Sequence, residues 1–150
     1  YATGAVWEYV HAAEWHKKTR EMLVAAHAHR GLTDDRVSHD ARSPAATTAA
    51  PPADLWVLTA PCETYSRRNH GATAADLAGC NDDLDAMLNY PRTHRPKAII
   101  VENVNEPESR AGLDAALLSL VGYRWQSFAT CASEYGPMAR ARRFWVGLRE

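Results

Sequence analysis

The sequence is poor in the features that mark disulfide-bonded, metal-binding and membrane-spanning proteins. Its 150 residues include three cysteines, an odd number without Cys-x-x-Cys spacing, which argues against a disulfide framework and a cysteine-rich zinc site. The seven histidines form no pair four residues apart, and we therefore expect no metal ion. No apolar run approaches the length of a membrane span, and no charged-then-apolar leader opens the chain. We expect an intracellular protein in a reducing compartment, without a membrane partner.

Neither sign of charge dominates the chain. The 17 Lys and Arg residues and the 18 Asp and Glu residues leave a formal net charge of -1, so bulk charge provides no attraction to a phosphate backbone. Such attraction would have to come from local clusters such as Arg67-Arg68 and the arginines between positions 140 and 143. A hydrophobic content of 46% supports a core, and the length suits one domain over residues 1–150.

Segments with strand character alternate with segments of helical periodicity. Strands are predicted at residues 5–10, 55–60, 98–101, 124–130 and 143–148, and helices at 15–26, 77–88 and 113–121. Residues 41–54 are rich in Ser, Pro, Ala and Thr, which indicates a flexible loop without a site. The apolar run at 55–60 indicates a buried central strand. The alternation predicts an α/β fold, with a mostly parallel sheet and helices on both faces.

Acidic and reactive side chains follow three of the predicted strands, at the edge where such sheets bind ligands. Glu14 follows the first strand, Pro61-Cys62 the second and Glu102-Asn103 the third. Cys62 lies on a stiff turn where a thiolate could act as a nucleophile, although a lone cysteine is also typical of a small buried side chain. Glu102 could handle protons beside such a thiol, or could end its strand as a helix cap or in solvent.

Three further features have a functional and an ordinary interpretation. Arg140 and Arg142 are two residues apart in an extended segment, so they could converge on one anion or base edge, or form a solvated basic edge. Glu14, beside Trp15, is placed like the acidic residue that bonds a ribose hydroxyl in dinucleotide-type folds, or like a carboxylate at a helix N-terminus. Ser66 could meet a backbone phosphate from the loop after the cysteine, or be solvated.

Taken in order, these segments resemble the cytosine-5 DNA methyltransferase family over nearly the whole chain. Pro61-Cys62 followed by Tyr65-Ser66 is similar to the family's Pro-Cys-Gln-x-Phe-Ser loop. Glu102-Asn103-Val104 is identical to its Glu-Asn-Val strand end. Tyr135-Gly136-Pro137 with Arg140-x-Arg142 resembles its Tyr-Gly-x-Pro-Gln-x-Arg-x-Arg run.

The resemblance implies a Rossmann-like fold that uses S-adenosylmethionine as cofactor, without a metal. Glu14-Trp15 is similar to the family's acidic-plus-aromatic cofactor pair, and Asp40 falls where its adenine-contacting aspartate is expected. Pro61 is the remaining implied cofactor residue. The family's glycine-rich loop for the methionine end of the cofactor would lie before Tyr1. We therefore expect a partial catalytic domain without its N-terminal part, and whether this segment is active alone stays open.

The reaction implied by the resemblance is methylation of cytosine at C5 in double-stranded DNA, with the target base flipped out of the helix. The partner is then DNA, in a nucleus or a nucleoid. Cys62 would add to C6 of the base, and Glu102 would bond to its N3 and exocyclic amine edge. Arg140 and Arg142 would orient the base. The implied substrate-binding residues are Ser66 and Asn103.

Two alternatives stay open. The first is a relative that methylates cytosine in transfer RNA by the same mechanism, and the second is a non-catalytic relative that binds DNA or a partner enzyme. The chain has Glu63 and Met138 where the family has Gln, and one residue fewer between Gly136 and Pro137, which favours the second alternative.

A zinc-dependent deaminase is a poor match by spacing. His11 and Glu14 are one residue too far apart for the His-x-Glu motif, and no second thiol follows Cys62 at the required interval. A zinc ion would therefore lack ligands.

Overall fold

The helices and strands alternate along the chain in the manner that the sequence predicts. The computed structural model describes residues 7–60, 73–134 and 140–150. The strands are β1 (Ala12–Ala13), β2 (Val37–Ser38), β3 (Leu55–Thr59), β4 (Ala98–Val104), β5 (Tyr123–Cys131) and β6 (Ala141–Arg149). The α-helices are α1 (Lys17–His27), α2 (Ala74–Met87), α3 (Asn89–His94) and α4 (Pro107–Leu118).

The described strands form two sheets. β1 and β2 form a small parallel sheet, and the other four form a sheet in the order β3-β4-β6-β5. β3 and β4 are parallel, while β6 is antiparallel to both of its neighbours. The prediction of a mostly parallel sheet is therefore wrong for the larger sheet, which is mixed. The connection between β5 and β6 through residues 132–140 is too short for the crossover that a parallel pair needs, so these strands run antiparallel.

One face of the larger sheet carries the hydrophobic core. Ile99 and Val101 of β4 and Trp145 of β6 lie on this face and are at most 2% exposed. Two helices, α2 and α4, pack against them with Leu84, Met87, Leu113 and Leu117. The indole N–H of Trp145 donates to Asp114 Oδ1 of α4 at 2.7 Å, so its polar atom is satisfied within the core.

The opposite face of the larger sheet is largely open. Val57, Phe128 and Leu148 lie on it by strand alternation and register, and they are 56%, 52% and 57% exposed. The predicted cover of helices on both faces is thus found on one face only within the described part of the chain. The helix α1 has no buried residue and packs instead against the 3-10 turns at Ala28–Arg30 and Asp34–Arg36.

Two predictions about strand positions need correction. The segment at 55–60 forms β3 as expected, but β3 is an edge of the described four-stranded sheet and pairs there with β4 alone. An apolar run indicates burial but does not specify which strands lie on either side. At the start of the chain, residues 7–10 belong to no strand, and the pairing in this region is that of β1 with β2.

The other predicted elements are present, with shifted bounds, and α3 and β2 were not predicted. Pro91 lies in the first turn of α3, where proline is tolerated because a backbone N–H at that place has no hydrogen-bond partner within the helix.

Within the described ranges, no helix combines the length and apolar character needed to cross a membrane.

Residues 41–54 contain no helix or strand, as expected, yet they are anchored to α3. Thr47 is 3% exposed, and its carbonyl oxygen accepts a hydrogen bond from His94 Nε2 at 2.9 Å. The carbonyl oxygen of Pro51 accepts one from the Tyr90 hydroxyl, also at 2.9 Å. The segment is therefore irregular in conformation but packed.

A glycine in β6 makes room for a tryptophan of β5. A Cβ added at Gly147 would lie 2.8 Å from the ring of Trp125, which is closer than two non-bonded carbon atoms approach each other. We expect Gly147→Ala to lower the free energy of unfolding by about 1–3 kcal/mol in urea denaturation, since the rigid ring must move. Gly79→Ala in α2 is the matched control, because nothing lies within 4 Å of the added Cβ. It should raise that free energy by about 0.5–1 kcal/mol. Equal effects of the two substitutions would contradict this account of the sheet.

Candidate active site

A pocket of about 960 Å³ is lined by residues of both sheets. Its walls come from β1, the turn at 39–42, the edge strand β3, one face of α2 and the neighbouring ends of β4 and β6. Six residues predicted for the site line this pocket: Glu14, Trp15, Asp40, Glu102, Arg140 and Arg142. The structure therefore brings the residues implied for the cofactor and those implied for the base into one cavity. The predicted residues Pro61, Cys62 and Ser66 lie outside the described residues.

An ion pair between β4 and β6 forms one wall of the pocket. Arg142 Nε lies 2.6 Å from Glu102 Oε1, and the two side chains are 19% and 22% exposed. The antiparallel register places Arg142 opposite Val104, so it reaches Glu102 diagonally, two residues away on the same face of the sheet. Limited access of water strengthens the attraction relative to an exposed pair. The carboxylate is thus held in a defined orientation at the pocket.

The arginines near β6 separate according to strand alternation. Arg140, which precedes β6, and Arg142 both line the pocket, as expected for residues two apart in an extended segment. Arg143 points to the other face, where its guanidinium donates to Asn105 Oδ1 at 2.9 Å and to Ser127 Oγ at 3.1 Å. Two of these three arginines therefore line the pocket, and Arg142 is paired there with Glu102.

Asn103 ties the end of β3 to β4. It is 2% exposed; its Nδ2 donates to the carbonyl oxygen of Ala60 at 3.3 Å, and its Oδ1 accepts from the backbone N–H of Val104 at 2.7 Å. Both polar groups of the side chain are engaged inside the protein, and the residue does not line the pocket. We therefore assign it a positioning role instead of the predicted substrate contact. It fixes the point where the chain leaves β3 towards Cys62, next to Glu102.

Glu14 and Trp15 form the turn between β1 and α1. Glu14 Oε1 accepts a hydrogen bond from the backbone N–H of His16 at 2.8 Å, which agrees in part with the ordinary interpretation of a carboxylate at a helix start. Arg20 donates to the carbonyl oxygens of both residues and holds the turn. Trp15 is 80% exposed and lines the pocket, so an aromatic face is available to a ligand.

Asp40 is held by an arginine that the sequence analysis did not single out. Arg42 donates to Asp40 from its backbone N–H and its guanidinium, and it also donates to Asp83 of α2. These hydrogen bonds hold the pKa of the Asp40 carboxyl below its ordinary value, so the group stays ionised at neutral pH. The contact with Asp83 joins residues 41 positions apart, which no local pattern reveals.

His11 is a second residue of the pocket that sequence reasoning missed as a ligand-binding candidate. Its Nε2 lies 3.0 Å from Ser38 Oγ, across the pairing of β1 with β2. Burial lowers the pKa of His11 below its ordinary value, so the imidazole is neutral at pH 7. The described residues contain no group of three or more His, Cys, Asp or Glu side chains suited to hold a metal ion.

The fold is shared with solved methyltransferase structures, although sequence comparison finds no match. No protein-family model matches the chain, and no curated protein matches its sequence. A prophage-encoded protein of E. coli, whose name places it among DNA modification methyltransferases, is similar with a TM-score of 0.65 and 18% identity over 94% of this chain and 40% of the other. The Dnmt2 methyltransferase of S. pombe gives a TM-score of 0.62 and 15% identity over 95% of this chain and 43% of the other.

A third structure, the methyltransferase EhMeth of Entamoeba histolytica, has a TM-score of 0.57 and 12% identity over 92% of this chain and 44% of its own length. The chain therefore spans about two fifths of the length of the solved structures that it resembles. At these identities the likeness establishes the methyltransferase-type fold.

The role of Asn103 can be tested through stability. Asn103→Ala leaves the buried Ala60 carbonyl and Val104 N–H without their partner, so we expect the free energy of unfolding to fall by about 1–3 kcal/mol in urea. Asn89→Ala is the control, because its Oδ1 makes only a long bond of 3.4 Å with Arg92 at the surface. That control should stay within about 0.5 kcal/mol of the parent protein. A loss of stability no larger for Asn103→Ala than for Asn89→Ala would contradict the positioning role.

Proposed function

We propose that this chain carries the catalytic face of an enzyme that methylates cytosine at C5 in double-stranded DNA, with S-adenosylmethionine as the methyl donor. The observation that carries the proposal is the single pocket that joins Glu14, Trp15 and Asp40 with Glu102 and Arg142. The order of the motifs in the sequence and the fold shared with solved methyltransferase structures support the same assignment.

The β1 side of the pocket fits a cofactor that bears an adenosine group. Trp15 presents an exposed indole on which an adenine ring can stack. The carboxylates of Glu14 and Asp40 are acceptors for ribose hydroxyls and for an exocyclic amine. A volume of about 960 Å³ has room for such a cofactor together with a single base. S-Adenosylmethionine, when bound, supplies an electrophilic methyl group on a sulfonium sulfur.

The opposite side of the pocket fits the cytosine. An aromatic pyrimidine carbon is a poor nucleophile, and addition of the Cys62 thiolate to C6 makes C5 nucleophilic as in an enamine. Glu102 bonds to the N3 and exocyclic amine edge and favours protonation of N3 as the ring gains electron density. Arg142 orients the Glu102 carboxylate, and Arg140, which also lines the pocket, is a second cation for the base.

Release of the product reverses the addition. Once C5 carries the methyl group, its proton is lost to a base, and the C5–H electron pair forms the C5–C6 double bond. The C6–S bond breaks at the same time, its electron pair returns to the sulfur of Cys62 as thiolate, and the proton on N3 returns to Glu102. Because the reacting ring face is hidden in a duplex, the base must first be flipped out, at a cost of a few kcal/mol offset by pocket contacts.

The covalent step can be trapped with 5-fluorocytosine, because fluorine at C5 cannot leave as a proton. We expect the full-length protein with S-adenosylmethionine to form a covalent band on denaturing gels with a pool of duplexes that carry 5-fluorocytosine. Cys62→Ser should abolish the band, and Cys80→Ser, a substitution within α2, should retain it. An adduct on single-stranded or transfer RNA, but not on the duplex, would favour the RNA alternative. A folded protein that binds the cofactor and forms no adduct on either nucleic acid would favour the non-catalytic alternative.

The ion pair at the pocket should matter for rate. Glu102→Gln keeps the shape of the side chain but removes the charge that Arg142 orients, so we expect adduct formation to slow by about 10²–10⁴-fold. Arg124→Lys is a control on the same sheet, where Arg124 pairs with Glu150 in solvent at 82% and 60% exposure. It should leave the rate unchanged in the same single-turnover assay. An unchanged rate for Glu102→Gln would show that the Glu102 carboxylate has no role in the reaction.

A further inference from the structure

One guanidinium group joins two carboxylates on separate elements of the pocket wall. The backbone N–H and Nε of Arg42 each donate to Asp40 Oδ1 at 2.9 Å, and an Nη donates to Asp40 Oδ2 at 3.1 Å. Its other Nη donates to Asp83 Oδ1 of α2 at 2.8 Å. All three side chains line the pocket. We call Asp40, Arg42 and Asp83 the arginine clamp.

The clamp fixes the orientation of the Asp40 carboxylate. Oδ1 accepts two of the hydrogen bonds from Arg42 and Oδ2 accepts one, so Oδ2 keeps capacity for one further donor. The planar fork of an arginine suits such a pattern, whereas a lysine ammonium is a point charge. A ligand amine that reaches the pocket therefore meets a carboxylate whose direction Arg42 has set.

The other end of the clamp lies on the helix that follows the Cys62 segment. α2 begins at Ala74, directly after residues 61–72, and its start is fixed by a capping box between Thr73 and Asp76. Asp83 and Met87 lie one turn apart on α2 and both line the pocket. Ala41 packs against the core cluster to which α2 contributes. Since a helix is held as a unit, the contact of Arg42 with Asp83 helps to set the position of α2 at the pocket.

We propose that Arg42 is a positioning residue that links cofactor binding at Asp40 to the placement of α2 at the pocket. This inference rests on the function proposed above. A ligand that bonds to Asp40 favours the arrangement in which Arg42 also holds Asp83, and with it the position of α2 at the pocket. By linkage, a well-placed α2 strengthens cofactor binding by the same factor.

The clamp contributes little to the stability of the fold, so its residues can be substituted without unfolding the protein. Arg42, Asp40 and Asp83 are 51%, 46% and 36% exposed, and ion pairs at such exposure are weak. Substitution of Arg42 is therefore expected to leave a folded protein.

The test compares Arg42→Ala, Asp83→Ala and the double variant in the full-length protein. The affinity for S-adenosylmethionine is measured by calorimetry, the rate of adduct formation with 5-fluorocytosine DNA by gel, and protection of α2 amides by hydrogen exchange. We expect Arg42→Ala to weaken binding about tenfold, within the range of ordinary coupling between sites. Asp83→Ala should weaken it less, because Asp40 keeps its partner. The double variant should bind no more weakly than Arg42→Ala alone, since both substitutions break one clamp.

Hydrogen exchange of the α2 amides distinguishes coupling between the cofactor and α2 from a merely structural role of Arg42. In the parent protein the cofactor should slow exchange of α2 amides, and in both single variants this effect should be lost while the protein stays folded. Arg42→Lys keeps the charge but lacks the planar fork that bonds to Asp40 and Asp83 together, so it should not restore the effect. The matched control is Arg92→Ala. It breaks the 2.7 Å ion pair between Arg92 of α3 and Asp85 of α2, and neither of these residues lines the pocket. It should leave affinity, rate and protection unchanged.

Two results would overturn the role of Arg42 and leave the proposed function intact. The first is that Arg42→Ala binds the cofactor as tightly, and forms the adduct as fast, as an active parent protein. The other is additive losses in the double variant, which would mean that the two contacts act separately. A parent protein that neither binds S-adenosylmethionine nor forms an adduct overturns the proposed function itself, and the two failures are thereby distinguished.

Discussion

The parallel pairing of β3 with β4 is the constraint on which the candidate site depends. Two parallel strands end at the same edge of a sheet, and the register places Thr59 beside Glu102. Ala60 then lies beside Asn103, whose buried side chain bonds to its carbonyl oxygen. The chain therefore leaves β3 towards Cys62 within one strand spacing of Glu102. A shift of one residue in this register would turn Glu102 to the other face of the sheet and remove it from the pocket.

The antiparallel strand β6 supplies what the parallel pair lacks. A carboxylate at a strand end would be solvated and variable in orientation, but β6 lies against β4 and brings Arg142 within 2.6 Å of Glu102. The net charge of -1 gives no hint of this arrangement, because the charges that matter are a few side chains concentrated at one pocket. The mixed character of the sheet is thus part of the site, since a crossover connection after β5 would have placed the arginines elsewhere.

The side of the pocket that we propose to bind the cofactor is held by a smaller structure. β1 and β2 pair over two residues each, and the residues that follow them carry Glu14, Trp15 and Asp40. So short a parallel pair has little stability of its own. The contacts of Arg42 with Asp40 and Asp83 connect this region to α2 and hence to the larger sheet. This connection is why we propose that Arg42 links cofactor binding at Asp40 to the position of α2.

The sequence by itself determined the alternation of strands and helices and the motifs at strand ends, because apolar periodicity and local residue order are properties of neighbours along the chain. It also determined that Arg140 and Arg142 share a face, since strand alternation is local. Only the tertiary structure decided that β3 lies at an edge of the described sheet, that β6 runs antiparallel and that Asn103 turns inward to Ala60. The clamp of Arg42 on Asp40 and Asp83 belongs to the same group. These features depend on which strands become neighbours and on contacts between residues tens of positions apart, and no local pattern encodes that choice.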